Sequence, residues 1–153
     1  MNKSIVIKNK KASFNYELLD NYVAGIVLTG TEIKSIRLGK ASISESFCKF
    51  NSKKELFVIN MNIQEYDYGN NFNHNPKSER KLLLNKNELK KLEKEVNSNG
   101  LTIVPTKLFL NKKGLAKLQI SLARGKKLFD KREKIKDREN KINLDRLKKK
   151  LRS

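Results

Sequence analysis

Leu115-Ala116-Lys117-Leu118-Gln119-Ile120-Ser121-Leu122-Ala123 is the stretch on which the fold turns. Lys117, Gln119 and Ser121 alternate with Leu118, Ile120 and Leu122, the period of a strand with one face in a core and one in water. Leu101 to Leu110 is a second apolar run, and Lys112-Lys113-Gly114 between them supplies a hairpin turn. Immediately upstream, Asn85 and Glu88 have the spacing of a helix capping box. Leu89, Leu92 and Val96 then line one helical face, and Gly100 is a suitable stop.

The remaining elements are shorter. Ile43 to Phe50 and Leu56 to Met61 read as strands around the turn Asn51-Ser52-Lys53-Lys54. Phe14 to Leu19 and Ala24 to Leu28 read as two strands separated by Asp20 and Asn21. Thr31 to Leu38 carries Ile33 and Ile36 at helical spacing before Gly39. Asn62 to Glu79, centred on Asn70-Asn71-Phe72-Asn73-His74-Asn75-Pro76, has no apolar periodicity. It is expected to be a mobile loop with His74 in solvent. About six strands with two inserted helices lack the strand–helix alternation of a parallel sheet. The expected fold is mostly β with inserted helices, a small antiparallel barrel of the oligonucleotide-binding (OB) type over residues 1–123.

Charge names the class of partner. In 153 residues, 35 Lys and Arg stand against 16 Asp and Glu, a net +19 that a polyanion would neutralise. Only Arg37, Arg80, Arg124, Arg132, Arg138, Arg146 and Arg152 are arginine; the other cations are lysine. That balance suits dispersed phosphate contacts better than bidentate readout of guanine edges, which argues against sequence-specific DNA recognition. Nearly half the net charge follows Ala123, where the apolar residues are too sparse for a core-facing stripe. Residues 124–153 are therefore expected to form a basic C-terminal tail, disordered alone or helical on binding.

Other classes find little support. Cys48 and His74 are each alone, so one chain can assemble neither a disulfide nor a Cys/His metal site, and the compartment is expected to be reducing. No stretch has the length and apolarity of a membrane span or signal peptide, so a cytoplasmic protein without a membrane partner is expected. His74 has no identifiable orienting carboxylate, and Cys48 reads as a small buried hydrophobe. No catalytic residue, cofactor or metal is expected.

Three motifs, Gly30-Thr31-Glu32-Ile33-Lys34-Ser35-Ile36-Arg37, Arg80-Lys81-Leu82-Leu83-Leu84-Asn85 and Gly125-Lys126-Lys127-Leu128-Phe129-Asp130-Lys131-Arg132, resemble signatures of the SsrA-binding-protein (SmpB) family, in the family's order. Asn9-Lys10-Lys11-Ala12, Ala24-Gly25, Gly39-Lys40 and Gly100-Leu101-Thr102 extend the likeness from about Asn9 to about Arg138. The resemblance implies an OB-like barrel that holds the tRNA-like domain of transfer-messenger RNA (tmRNA, SsrA RNA). It further implies a tail reaching the small-subunit decoding region and vacant mRNA channel of a stalled ribosome. The implied role is an adaptor in trans-translation that delivers alanyl-tmRNA, with elongation factor Tu as a further partner through that RNA. A ribosomal protein or general RNA chaperone with a basic tail is the alternative.

Residue by residue, the resemblance implies RNA binding by Asn9, Lys10, Leu83, Asn85, Lys117, Arg124, Lys126 and Lys127. It implies ribosome contact by Phe129, Asp130, Lys131, Arg132, Lys136 and Arg138. Leu83 as a core residue and Asn85 as a helix cap are structural readings that stand beside these. Glu32 is equally well a first-turn carboxylate favoured by the helix dipole. Two departures stand out. Val23 occupies a position where many relatives carry Glu, and Phe129 one where they often carry His, which keeps stacking but removes a hydrogen-bond donor.

Overall fold

The computed structural model describes residues 5–69 and 72–126. Among these the chain order is β1 (Val6–Lys8), α1 (Ala12–Asn15), β2 (Tyr16–Ile26), α2 (Gly30–Arg37), β3 (Ala41–Ser42), β4 (Phe47–Phe50), β5 (Leu56–Ile59), β6 (Asn62–Ile63), β7 (Arg80–Leu83), α3 (Lys86–Asn99), β8 (Thr102–Leu110) and β9 (Ala116–Gly125). All pairings are antiparallel. The ring β8-β4-β5-β7-β2-β9 closes where β9 pairs back onto β8, and β1 occupies the part of β8's other edge that β4 does not reach. Closure removes the exposed edges of an open sheet. One joint is slight: β4 meets β8 through the single pair Cys48↔Ile103, beside a cavity of about 600 Å³ between the β4–β5 hairpin and α3.

The alternation in the last hairpin sets the core. Leu118, Ile120 and Leu122 are buried inside with Leu108, Ile103, Val58, Leu56 and Leu82, and α3 adds Leu92 while α2 adds Ile36. Asn85 caps α3 as expected: its Oδ1 accepts from Glu88 N–H at 2.8 Å, and Gly100 ends the helix at φ +62°. The expected wet face holds only in part. Ser121 is buried, because α1 lays Ala12 over Val104 and Ala123 at that end of the hairpin and forms a second small apolar cluster outside the barrel.

Several expectations need correction. The two strands expected at Phe14–Leu19 and Ala24–Leu28 are one, β2, with Phe14 in α1. Asp20 lies at a register shift between Leu18 and Asn21 where the strand bulges and continues. Ile43 lies outside the strand assigned to it, since β4 begins at Phe47. The segment Asn62–Glu79, expected to lack anchors, has them in its described part: Ile63 lies in the core, and the others are polar. Ile63 pairs with Ala41, Asn73 bonds both backbone groups of Tyr66, and His74 is buried. The folded unit also runs past the expected Ala123 boundary: β9 continues to Gly125, and Lys126 N–H donates to Asn15 O at 3.0 Å.

Candidate nucleic-acid interface

Three neighbouring strands assemble the centre of the site. Residues directly opposite in antiparallel strands share a face. Gly25 of β2 pairs with Leu83 of β7 on one side and with Lys117 of β9 on the other. Leu83, Gly25 and Lys117 therefore form one row across the outside of the barrel. Leu82 takes the core position, so the reading of Leu83 as a core residue is corrected: it is 53 % exposed. A Cβ on Gly25 would stand 3.4 Å from the Leu83 Cβ and 3.7 Å from the Lys117 Nζ, so the glycine keeps a hollow between an apolar side chain and an ammonium. That hollow belongs to a depression of about 400 Å³ lined by Leu28, Ile33, Leu83, Leu115, Arg37 and Lys117. Gly25 is the site residue that reading motifs for charge misses; a glycine inside a strand is the signal that finds it.

The other sequence-expected residues lie elsewhere. Asn85, exposed, follows closely after Leu83 and is committed through Oδ1 to its cap. Asn9 is buried. Its Nδ2 donates to Pro105 O at 2.9 Å and its backbone N–H to Thr106 O, which ties the end of β1 to β8. Lys10 is exposed beside it. Arg124 is exposed opposite Glu17, with 3.6 Å between their charged atoms, a separation that leaves the guanidinium available. Lys126 is held at the barrel: its Nζ donates to Ser13 O at 2.9 Å in addition to the backbone bond to Asn15. Lys127, Phe129, Asp130, Lys131, Arg132, Lys136 and Arg138 lie outside the described residues.

Glu32 and Arg80 have work inside the protein. Glu32 forms a capping box with Thr29, its Oε1 accepting from Thr29 N–H at 2.9 Å, and its second oxygen pairs with the Arg80 Nε. Both side chains are buried. Arg80 spends its remaining donors on the carbonyls of Met61, Ser78, Asn75 and Pro76, so one guanidinium binds α2 to the long segment before β7. His74 acts beside it. Its Nε2 lies 2.9 Å from Ile63 O, which can only accept, so Nε2 donates; Nδ1 lies 2.9 Å from the Thr31 hydroxyl and, in the neutral imidazole, accepts from it. The expectation of a solvent-exposed His74 is thus overturned by its burial and by two hydrogen-bond partners that no local pattern announces.

Cys48 is buried as expected, and desolvation pushes its thiol far above the ordinary range, which keeps it protonated and unreactive. Two carboxylates, the half-buried Glu55 and the exposed Glu45, are held below the usual carboxylate range, mainly by hydrogen bonds from Lys81 and Lys11 respectively.

A family model described as "SmpB protein" matches residues 6–150. The chain belongs to the SmpB family. SmpB-family relatives include the SsrA-binding protein of Christiangramia forsetii, 67% identical over 97% of this chain and 94% of its own. That of Flavobacterium psychrophilum is 65% identical over 97% and 99%. The more distant SsrA-binding protein of Allorhizobium ampelinum is 53% identical over 88% and 85%. A chain of a solved structure described as tmRNA-SmpB on a journey to the center of the bacterial ribosome superposes with a TM-score of 0.67 at 45% identity. It covers 81% of this chain and 86% of its own length. The closed antiparallel barrel is thus the SmpB fold. No helix among the described residues is long and apolar enough to cross a membrane.

Proposed function

We propose that the protein binds tmRNA (SsrA RNA) and serves as an adaptor of trans-translation, bringing alanyl-tmRNA to stalled ribosomes for rescue and peptide tagging. The observation that carries this reading is the Leu83–Gly25–Lys117 row. Residues that family resemblance ties to RNA, distant in sequence, converge on one uncovered face of the barrel in a chain of net charge +19. Lys117 supplies phosphate neutralisation there, while Leu83 and the hollow at Gly25 accept an apolar base or ribose surface. Its partner on the RNA is the tRNA-like domain. The protein works by binding rather than catalysis, in the cytoplasm, and elongation factor Tu joins through the aminoacylated RNA.

In this reading Lys10, Arg124, Lys126 and Lys127 extend the RNA contact. Phe129, Asp130, Lys131, Arg132, Lys136 and Arg138 meet the decoding region and mRNA channel of the small subunit. The stapling of Lys126 to α1 supports a junction that starts the basic segment from a fixed point on the barrel. The test is a competition gel shift at constant salt. The chain should prefer the tRNA-like domain of tmRNA to bulk tRNA, and Lys117→Glu should remove most of that affinity with the fold intact. Equal affinity for both RNAs would favour a general RNA chaperone instead. A reconstituted stalled-ribosome reaction with Asp130→Ala, Lys131→Ala and Arg132→Ala combined should show RNA binding kept and tagging lost.

A further inference from the structure

The face that carries Leu83 and Lys117 does not stop at β9. Lys117 pairs with Phe109 of β8, and Phe109 pairs with Val6 of β1. One rung along, Val23 pairs with Gln119, Gln119 with Lys107, and Lys107 with Lys8. Strands lie about 4.8 Å apart, so the first row runs about 19 Å from Leu83 to Val6 without leaving the outer surface. Neither row contains a carboxylate, and Val23 beside Gln119 brings no charge to offset the lysines. Lys8, Lys107 and Lys117 form no ion pair among the described residues.

Phe109 is the unusual member. Leu108 and Leu110 on either side face the core, which places the Phe109 ring outside the barrel, half-buried, with the Lys107 Nζ 5.1 Å from its centroid. The cluster formed by Ala12, Val104 and Ala123 covers other rungs of the hairpin and leaves these open. An aromatic ring set among three unpaired ammonium groups on an open sheet is the combination that holds nucleic acid, stacking for a base and charge for the backbone.

We infer that the β8–β1 side of this face is a second RNA contact, in which Lys8 and Lys107 neutralise backbone phosphates and Phe109 receives an unstacked base or a ribose. The inference rests on the proposed RNA-binding reading, since the unbroken register with Lys117 assigns both contacts to one RNA molecule. Charge complementarity selects that occupant.

The test compares the unmodified chain with Lys8→Gln plus Lys107→Gln, Phe109→Ala, Phe109→Tyr and Lys117→Gln. Each is titrated with the tRNA-like domain of tmRNA at several salt concentrations, and folding is followed by circular dichroism. The double lysine variant should bind at least about tenfold more weakly, with a log–log salt slope smaller by about two. It should also lose backbone protection at a stretch of RNA separate from that lost by Lys117→Gln. Phe109→Tyr should bind like the unmodified chain and Phe109→Ala more weakly. If Lys117→Gln weakens binding while the double lysine variant keeps its affinity, slope and footprint, the second contact is refuted and the RNA-binding reading stands. If the unmodified chain shows no preference for this RNA, both fall. Loss of binding to polyglutamate with RNA binding retained would assign the patch to an acidic polypeptide and overturn the inference.

Discussion

Replacing Arg80 by Ala tests the buried polar joint between α2 and the segment before β7. The substitution strands the Glu32 carboxylate, whose side chain is buried, without its cation. Removing one partner of a buried pair costs about 3–5 kcal/mol. Arg80 also satisfies the Met61 carbonyl in a buried hydrogen bond, which adds on the order of 1 kcal/mol. The carbonyls of Ser78, Asn75 and Pro76 are only partly buried and regain water, so they add little. A total of about 5 kcal/mol is a large share of the roughly 5–15 kcal/mol typical of a domain. With a urea m-value of about 2 kcal/mol/M it moves the unfolding midpoint down by about 2.5 M. The assay is urea unfolding followed by far-UV circular dichroism. Adding Glu32→Gln to Arg80→Ala removes the stranded charge and should recover part of the loss, a coupling that a double-mutant cycle measures. A loss below about 1 kcal/mol for Arg80→Ala, or a double variant less stable than the single, would refute the argument that an unpaired buried charge dominates.

Asn85→Ala should cost about 1 kcal/mol through the lost cap of α3, and Asn85→Ser should restore the stability. RNA affinity lost in both variants would separate a direct amide contact from the cap. Leu92→Ala, which empties a fully buried position of α3, should cost about 2–5 kcal/mol in the same unfolding assay. Cys48 should resist alkylation at pH 8 in the native protein and react at once in urea, with rates read by mass spectrometry. Its raised thiol pKa means the folded state holds its proton where the unfolded state has released it. Stability from this group is therefore complete below about pH 8.5 and declines as pH rises beyond that, a slope that Cys48→Ala should remove.

What could be read from the chain was local. The capping box at Asn85 and Glu88, the stop at Gly100 and the alternation from Lys117 to Leu122 lie within single elements, and each is found where its pattern puts it except at Ser121, which is buried. Thr29 and Glu32 carry the same legible box, so α2 could have been started one residue earlier than Thr31, at Gly30. Asp20 and Asn21 misled because a bulge and a turn favour the same residue types, and only the pairing of β2 with β9 on both sides of the shift tells them apart. The anchors of Asn62–Glu79 were out of reach for a different reason. His74 finds Thr31, and Arg80 finds Glu32, across long separations in sequence, and nothing periodic marks such polar partners. For the site, the family resemblance named Leu83 and Lys117. Their meeting across Gly25, and the continuation to Phe109 and Lys8, depend on the register of several strand pairs at once.

A closed ring opens most easily at its least-laced joint. Between β2 and β9, or between β8 and β9, many rungs must break together, whereas Cys48↔Ile103 is the lone rung between β4 and β8. Brief native-state openings should therefore begin at this clasp, with the β4–β5 hairpin swinging on its attachment to β7 while β1, β2, β8 and β9 stay laced. In hydrogen exchange the backbone amides flanking that rung would trade their protons well before those of β9. Lys117 lies on the other side of β8 from the clasp, so such breathing would leave its pairings with β2 and β8 at rest.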